Sequence, residues 1–141
     1  AGNTLTQRCF RTYRNEVIVK IDISHMENGQ KSGLCHFSQD FSYIGVKQNK
    51  GVRRLEYNNN GEISEGEIIK TSFLWLKSEW GLDGVSNYSY SLDGENYLPF
   101  GDVYQLSWGN YRGDRIGLFC FNNKQEKGYV DIDYFHYRIE K

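Results

Sequence analysis

The sequence predicts an all-β protein, a two-sheet antiparallel β-sandwich of the jelly-roll type. Three observations carry that prediction. Apolar and polar residues alternate in short runs, the pattern of half-buried strands. Turn residues, chiefly Asn, Asp and Gly, separate the runs. No stretch of a dozen residues holds the i, i+3, i+4, i+7 apolar spacing of a capped helix. The chain has 141 residues, 38% hydrophobic and 25% charged, which fits one domain spanning 1–141. That balance argues against disorder. Eleven Tyr, eight Phe and three Trp enrich it in residues that favour strands.

The elements follow in order. Glu16 to Ile23 is the clearest strand: Val17, Val19, Ile21 and Ile23 share one face, Lys20 and Asp22 the other. Gly33 to Phe37 is a short run closed by Ser38-Gln39-Asp40. Phe41 to Gln48 follows, and Asn49-Lys50-Gly51 reverses it into Val52 to Tyr57. Asn58-Asn59-Asn60-Gly61 is a second turn, since Asn and Gly tolerate positive φ. Ile68 to Trp80 is the longest apolar run, with Leu74 and Leu76 on one face and Phe73 and Trp75 on the other. A strand apolar on both faces is central in a layered structure or covered by a partner. Tyr88 to Ser91 and Tyr97 to Phe100 flank a hairpin at Asp93-Gly94. Arg115 to Phe121 and Gly128 to Ile139 close the chain. The sum is about nine or ten short strands, the signature of a sandwich.

Composition narrows the function classes. The net charge of −1 gives no basic excess for a phosphate backbone, so no nucleic-acid partner is expected. No apolar run approaches the ~18 residues of a membrane span, so no membrane partner is expected either. Ala1-Gly2-Asn3-Thr4 has no basic n-region and no apolar h-region, and no Met precedes it. The chain reads as a processed product or as a piece of a longer protein. Cys9, Cys35 and Cys120 are odd in number and widely spaced, which predicts buried thiols instead of a disulfide framework. They leave cytoplasmic and secreted or periplasmic placement equally open.

Candidate chemistry is sparse. Glu62, Glu65 and Glu67 follow the Asn-Gly turn around Gly66 and read as a solvated acidic loop, not a glycosidase pair. Asp131 and Asp133 alternate on a strand and point the same way. They are weak calcium candidates, because calcium wants more oxygens than two carboxylates supply, so no cofactor is expected. His25, His36 and His136 lack zinc spacing. Cys35 and His36 are adjacent on a strand, so they face apart and cannot act as nucleophile and base. The residues describe a binding or scaffolding module, with no catalytic residue expected in this chain. Aromatics fill cores first, but an exposed ring face also stacks on a pyranose.

Several motifs in order carry a resemblance. They are Asn3-Thr4-Leu5-Thr6-Gln7-Arg8, Ser32-Gly33-Leu34-Cys35 with Tyr43-Ile44-Gly45-Val46, and Tyr90-Ser91-Leu92-Asp93-Gly94. Trp108-Gly109-Asn110-Tyr111-Arg112-Gly113 with Ile116-Gly117-Leu118-Phe119 follows, then Val130-Asp131-Ile132-Asp133-Tyr134-Phe135. Together they resemble the C-terminal concanavalin A-like β-sandwich of glycoside hydrolase family 43 β-xylosidases, also classed as a xylan-binding module. The resemblance implies the accessory half of a xylan-degrading enzyme of β-xylosidase or α-arabinofuranosidase type. The catalytic acids would then lie on a five-bladed propeller elsewhere in the polypeptide. The implied partners are that catalytic domain and xylan or xylo-oligosaccharides. In some relatives a sandwich loop places an aromatic at the mouth of the propeller's pocket; by motif position that loop is Trp108 to Gly113 and the aromatic is Tyr111. Trp75, Trp80, Trp108 and Tyr111 are the expected sugar-contacting residues. The alternatives are an independent sugar-binding module without an enzymatic partner, and a sandwich enzyme in its own right, which would need converging acids.

Overall fold

The structure is a computed structural model that describes residues 3–9, 13–37, 40–101, 103–106, 115–122 and 130–140. Among the described residues twelve strands run in order: β1 (Asn3–Arg8), β2 (Arg14–Asp22), β3 (Gln30–Phe37), β4 (Phe41–Asn49), β5 (Val52–Asn59), β6 (Glu62–Ile68), β7 (Phe73–Trp80), β8 (Val85–Ser91), β9 (Leu98–Pro99), β10 (Tyr104–Gln105), β11 (Arg115–Asn122) and β12 (Asp131–Glu140). They form two antiparallel sheets. A six-stranded sheet has the order β1-β11-β3-β4-β5-β6, and a second sheet has the order β10-β8-β7-β2-β12 with β9 on β8. Among the described residues no helix is long and apolar enough to cross a membrane.

Local chemistry explains the hairpins. Lys50-Gly51 and Asn60-Gly61 each connect strands through two residues with positive φ, at 51° and 76° and at 51° and 97°. Two consecutive left-handed residues match the right-handed twist of the flanking strands. The alternation in β2 then sets the layers: Val17, Val19 and Ile21 point inward and Ile18, Lys20 and Asp22 outward. Leu74 and Leu76 of β7 join them, and Leu34, Ile44, Val46, Leu55, Ile116 and Leu118 meet them from the other sheet. Each such aliphatic side chain contributes about 1.5–3 kcal/mol by leaving water.

Polar groups also cross between the layers. The Tyr88 hydroxyl and Ser42 Oγ are 2.9 Å apart, and His36 Nε2 is 2.7 Å from Ser78 Oγ. The other nitrogen of His36 faces Cys9 Sγ at 3.5 Å, while Cys35 turns outward toward the Gly117 carbonyl. Cys35 and His36 therefore do face apart. None of the three cysteines is in a disulfide, but only Cys9 is fully buried; Cys35 and Cys120 are half-buried.

Three expectations need correction. The acidic stretch after Gly61 is not a loop but the edge strand β6, with its hydroxyl and carboxylate groups turned to solvent. Pairing with β5 through a register shift overrides its two glycines and sets Glu65 opposite Glu56. Second, a bulge between Ile132 and Tyr134 breaks the alternation assumed for Asp131 and Asp133. Third, Trp80 is no surface residue: it is 3% exposed, set edge-on to His36 and Tyr137. Its place in the alternation after Leu74, Leu76 and Ser78 puts it inside.

Candidate functional site

The outer face of the β10-β8-β7-β2-β12 sheet carries a band of rings. On β7 the residues alternate with the buried leucines, so Phe73, Trp75 and Lys77 project outward. Phe73 is 37% exposed and Trp75 is half-buried. Strand pairing sets Lys20 opposite Trp75 and Tyr134 opposite Lys20. One row of side chains therefore crosses three strands. The Trp75 Nε1–H reaches over it and donates to the Tyr134 hydroxyl at 2.9 Å. The ring of His136 stacks on Tyr134 with centroids 4.4 Å apart and planes 19° from parallel. The Lys20 ammonium lies 4.5 Å from the centre of the Phe73 ring and 5.2 Å from that of Trp75.

The other edge of Trp75 is fixed by a turn. The Asp93 carboxylate accepts the backbone N–H groups of Asn96 and Glu95 at 2.8 Å each, with further bonds from the Asn96 amide and Ser91 hydroxyl. The backbone bond from Asn96 leads the causes that hold this carboxyl well below the usual range. The turn sets Gly94 at φ +81°, against the indole: a Cβ there would meet the ring 2.9 Å away. Beside it, Lys77 sits 4.2 Å from the centre of the Tyr97 ring. Burial, then repulsion from Tyr134, pushes the Tyr97 hydroxyl up to about 12. That hydroxyl keeps its proton at neutral pH and can donate.

The arrangement is a surface of rings with a polar rim. Its rings offer an apolar surface, and Lys20, Asp133 and the tyrosine hydroxyls offer donors and acceptors at its rim. Asp133 is 2.9 Å from Lys20 Nζ, so a lysine takes up the carboxylate that sequence offered to calcium. Among the described residues no three His, Cys, Asp or Glu side chains converge as a metal site. Of the four sugar-contact candidates, Trp75 is on this face and Trp80 is in the core. Trp108 and Tyr111 lie outside the described residues. Sequence reasoning missed Tyr134, His136, Tyr97 and Lys20 as members of the band. The i, i+2 spacing of Tyr134 and His136 was a signal, but which strand they pair with was not legible locally.

The family described as the β-xylosidase C-terminal concanavalin A-like domain matches residues 1–138. This chain belongs to that family. A β-xylosidase of Formosa agariphila is 33% identical over 139 residues, covering 97% of this chain and 23% of its own length. A bifunctional GH43-CE protein of Bacteroides eggerthii superposes with a TM-score of 0.86 at 28% identity, over 99% of this chain and 19% of that one. An engineered family 43 glycoside hydrolase, described as both endo-xylanase and exo-arabinofuranosidase, gives a TM-score of 0.89 at 23% identity. That match covers 98% of this chain and 31% of the other, and at such identity it speaks for the fold. The domain thus spans less than a third of each of these relatives.

Proposed function

We propose that this domain is the accessory module of a xylan-degrading glycoside hydrolase of β-xylosidase or α-arabinofuranosidase type. In this reading it packs on the catalytic domain of the same polypeptide and adds contacts to the substrate. Family membership over 1–138 is the observation that carries it. The ring band supports the substrate contact, because stacked rings with a polar rim suit sugar faces. Tyr111 belongs to the same reading as an aromatic closing the catalytic pocket in the intact polypeptide. The experiment is reconstitution. The catalytic portion of the polypeptide is produced without residues 1–141, and kcat/KM on xylobiose and the thermal midpoint are measured before and after adding the chain. Co-elution with recovery of both quantities is expected. A catalytic portion indifferent to the chain refutes the accessory role and leaves an independent sugar-binding module.

A further inference from the structure

The two outer faces of the sandwich treat their charges differently. On the β1-β11-β3-β4-β5-β6 sheet the buried Glu56 is closed off. Its carboxylate accepts the Tyr43 hydroxyl and, at 2.9 Å, the Lys31 ammonium, and Lys47 Nζ stands 3.0 Å from its other oxygen. On the ring-bearing sheet Lys20 is held by Asp133 at 2.9 Å and Lys77 by Glu79 at 3.2 Å. Arg138 of the same face is exposed, and among the described residues no carboxylate stands within ion-pair distance of its guanidinium.

Register puts Arg138 in line with the rings. Tyr134, His136 and Arg138 of β12 follow one another on the outer face, opposite Lys20, Ile18 and Glu16 of β2. Two residues along a strand advance about 6.6 Å, the reach of roughly one sugar unit. The exposed His136 ring, stacked on Tyr134, therefore leads from the band to the arginine. There the surface opens into a cavity of about 290 Å³ lined by Arg14, Glu16, Arg138 and Ile139. Small-molecule sites begin at roughly 300 Å³, so the cavity suits one sugar ring and not a chain. Tyr97 stands near its inner side: after burial and Tyr134, the charge of Glu16 is the next cause that raises the Tyr97 hydroxyl.

The walls differ in chemistry. Arg138 offers a planar fork of donors, which fits a carboxylate through two parallel bonds. Glu16, opposite it in register, offers acceptors alone and suits hydroxyl donors. Ile139, 41% exposed, gives ring carbons an apolar wall. A phosphate is all acceptors and would be repelled by Glu16. A neutral sugar would satisfy Glu16 and leave Arg138 without a charge to meet. A sugar acid presents both parts, a carboxylate at one end and hydroxyls at the other. We propose that this cavity is a second binding site, for a uronic acid unit branching from a xylan chain held on the ring band. Its carboxylate pairs with Arg138 and its hydroxyls donate to Glu16. The inference rests on the reading of the domain as a substrate-contacting accessory module, and it adds a preference for acid-substituted chains.

The test titrates the isotope-labelled chain with xylotriose, with xylotriose carrying one glucuronic acid branch, and with acetate, and follows amide chemical shifts. The branched sugar should bind about threefold to tenfold more tightly than xylotriose, with added shifts at Glu16, Arg138 and Ile139. That excess should fade at high salt, because the pair is exposed and screened. Arg138→Gln should bring the branched sugar down to the affinity of xylotriose and leave xylotriose unchanged. Arg138→Lys, which keeps the charge but loses the fork, should retain only part of the excess. Equal binding of the two sugars, with shifts confined to the neighbourhood of Trp75 and Tyr134, overturns this site and spares the substrate contact. Binding of neither sugar overturns both. An excess that survives Arg138→Gln, or acetate producing the same shifts at the same concentration, overturns recognition of a sugar acid.

Discussion

Replacing Gly94 by Ala tests how rigidly the fold holds Trp75. At φ +81° an L-residue is in the left-handed region, which costs about 1–2 kcal/mol. The new methyl would also stand 2.9 Å from the indole, and overpacking of that kind costs about 1–3 kcal/mol. Gly94→Ala should therefore destabilise by about 2–5 kcal/mol in the presence of Trp75. With Trp75→Ala in place the ring is gone and only the backbone cost remains, about 1–2 kcal/mol. The double-mutant cycle should give a coupling of about 1–3 kcal/mol, read from urea unfolding of the four proteins. The Trp75–Tyr134 hydrogen bond opposes rotation of the indole, so the ring cannot yield freely. A coupling near zero would refute the reasoning, because it would mean the ring moves aside without cost.

Two further outcomes follow from the core and from the buried acid. Trp80→Ala should cost about 3–5 kcal/mol, since it empties a ring-sized space beside His36 and Tyr137, and thermal unfolding should show it. Glu56 is held below its ordinary value when folded, so its stabilisation is present above the unfolded value and is lost as pH falls through the folded one. The midpoint difference between the native chain and Glu56→Gln should be greatest above about pH 5 and shrink below about pH 4; an unchanging difference between pH 3 and 7 contradicts the charged network.

Much of the fold was legible because strand period and turn chemistry are local. Val17, Val19, Ile21 and Ile23 announce their face, and the two glycine turns announce their hairpins. What was illegible depended on pairing. Trp80 reads as one more aromatic until the inward phase of β7 is fixed by its neighbours β2 and β8. Asp131 and Asp133 share a face only in a regular strand, and the bulge in β12 removes that premise. The β6 acids looked like a loop because two glycines outweighed a strand supplied by its partner. The site suffered most. Tyr134 comes from the last strand and Trp75 from the middle of the chain, 59 residues apart, so nothing local joins them. Glu56 gave no signal either, because its burial arises from lysines of two other strands.

The central claim is that this accessory domain meets its substrate through the Trp75 face. Isothermal titration of the chain with xylohexaose, beside Trp75→Ala, tests it most directly. A shallow stacking surface should bind with a Kd of roughly millimolar to tens of micromolar, or about 4–6 kcal/mol. Trp75→Ala should abolish most of the heat while the far-ultraviolet strand spectrum stays unchanged. Equal heats from the native chain and the folded variant, or no heat from either, would contradict the account.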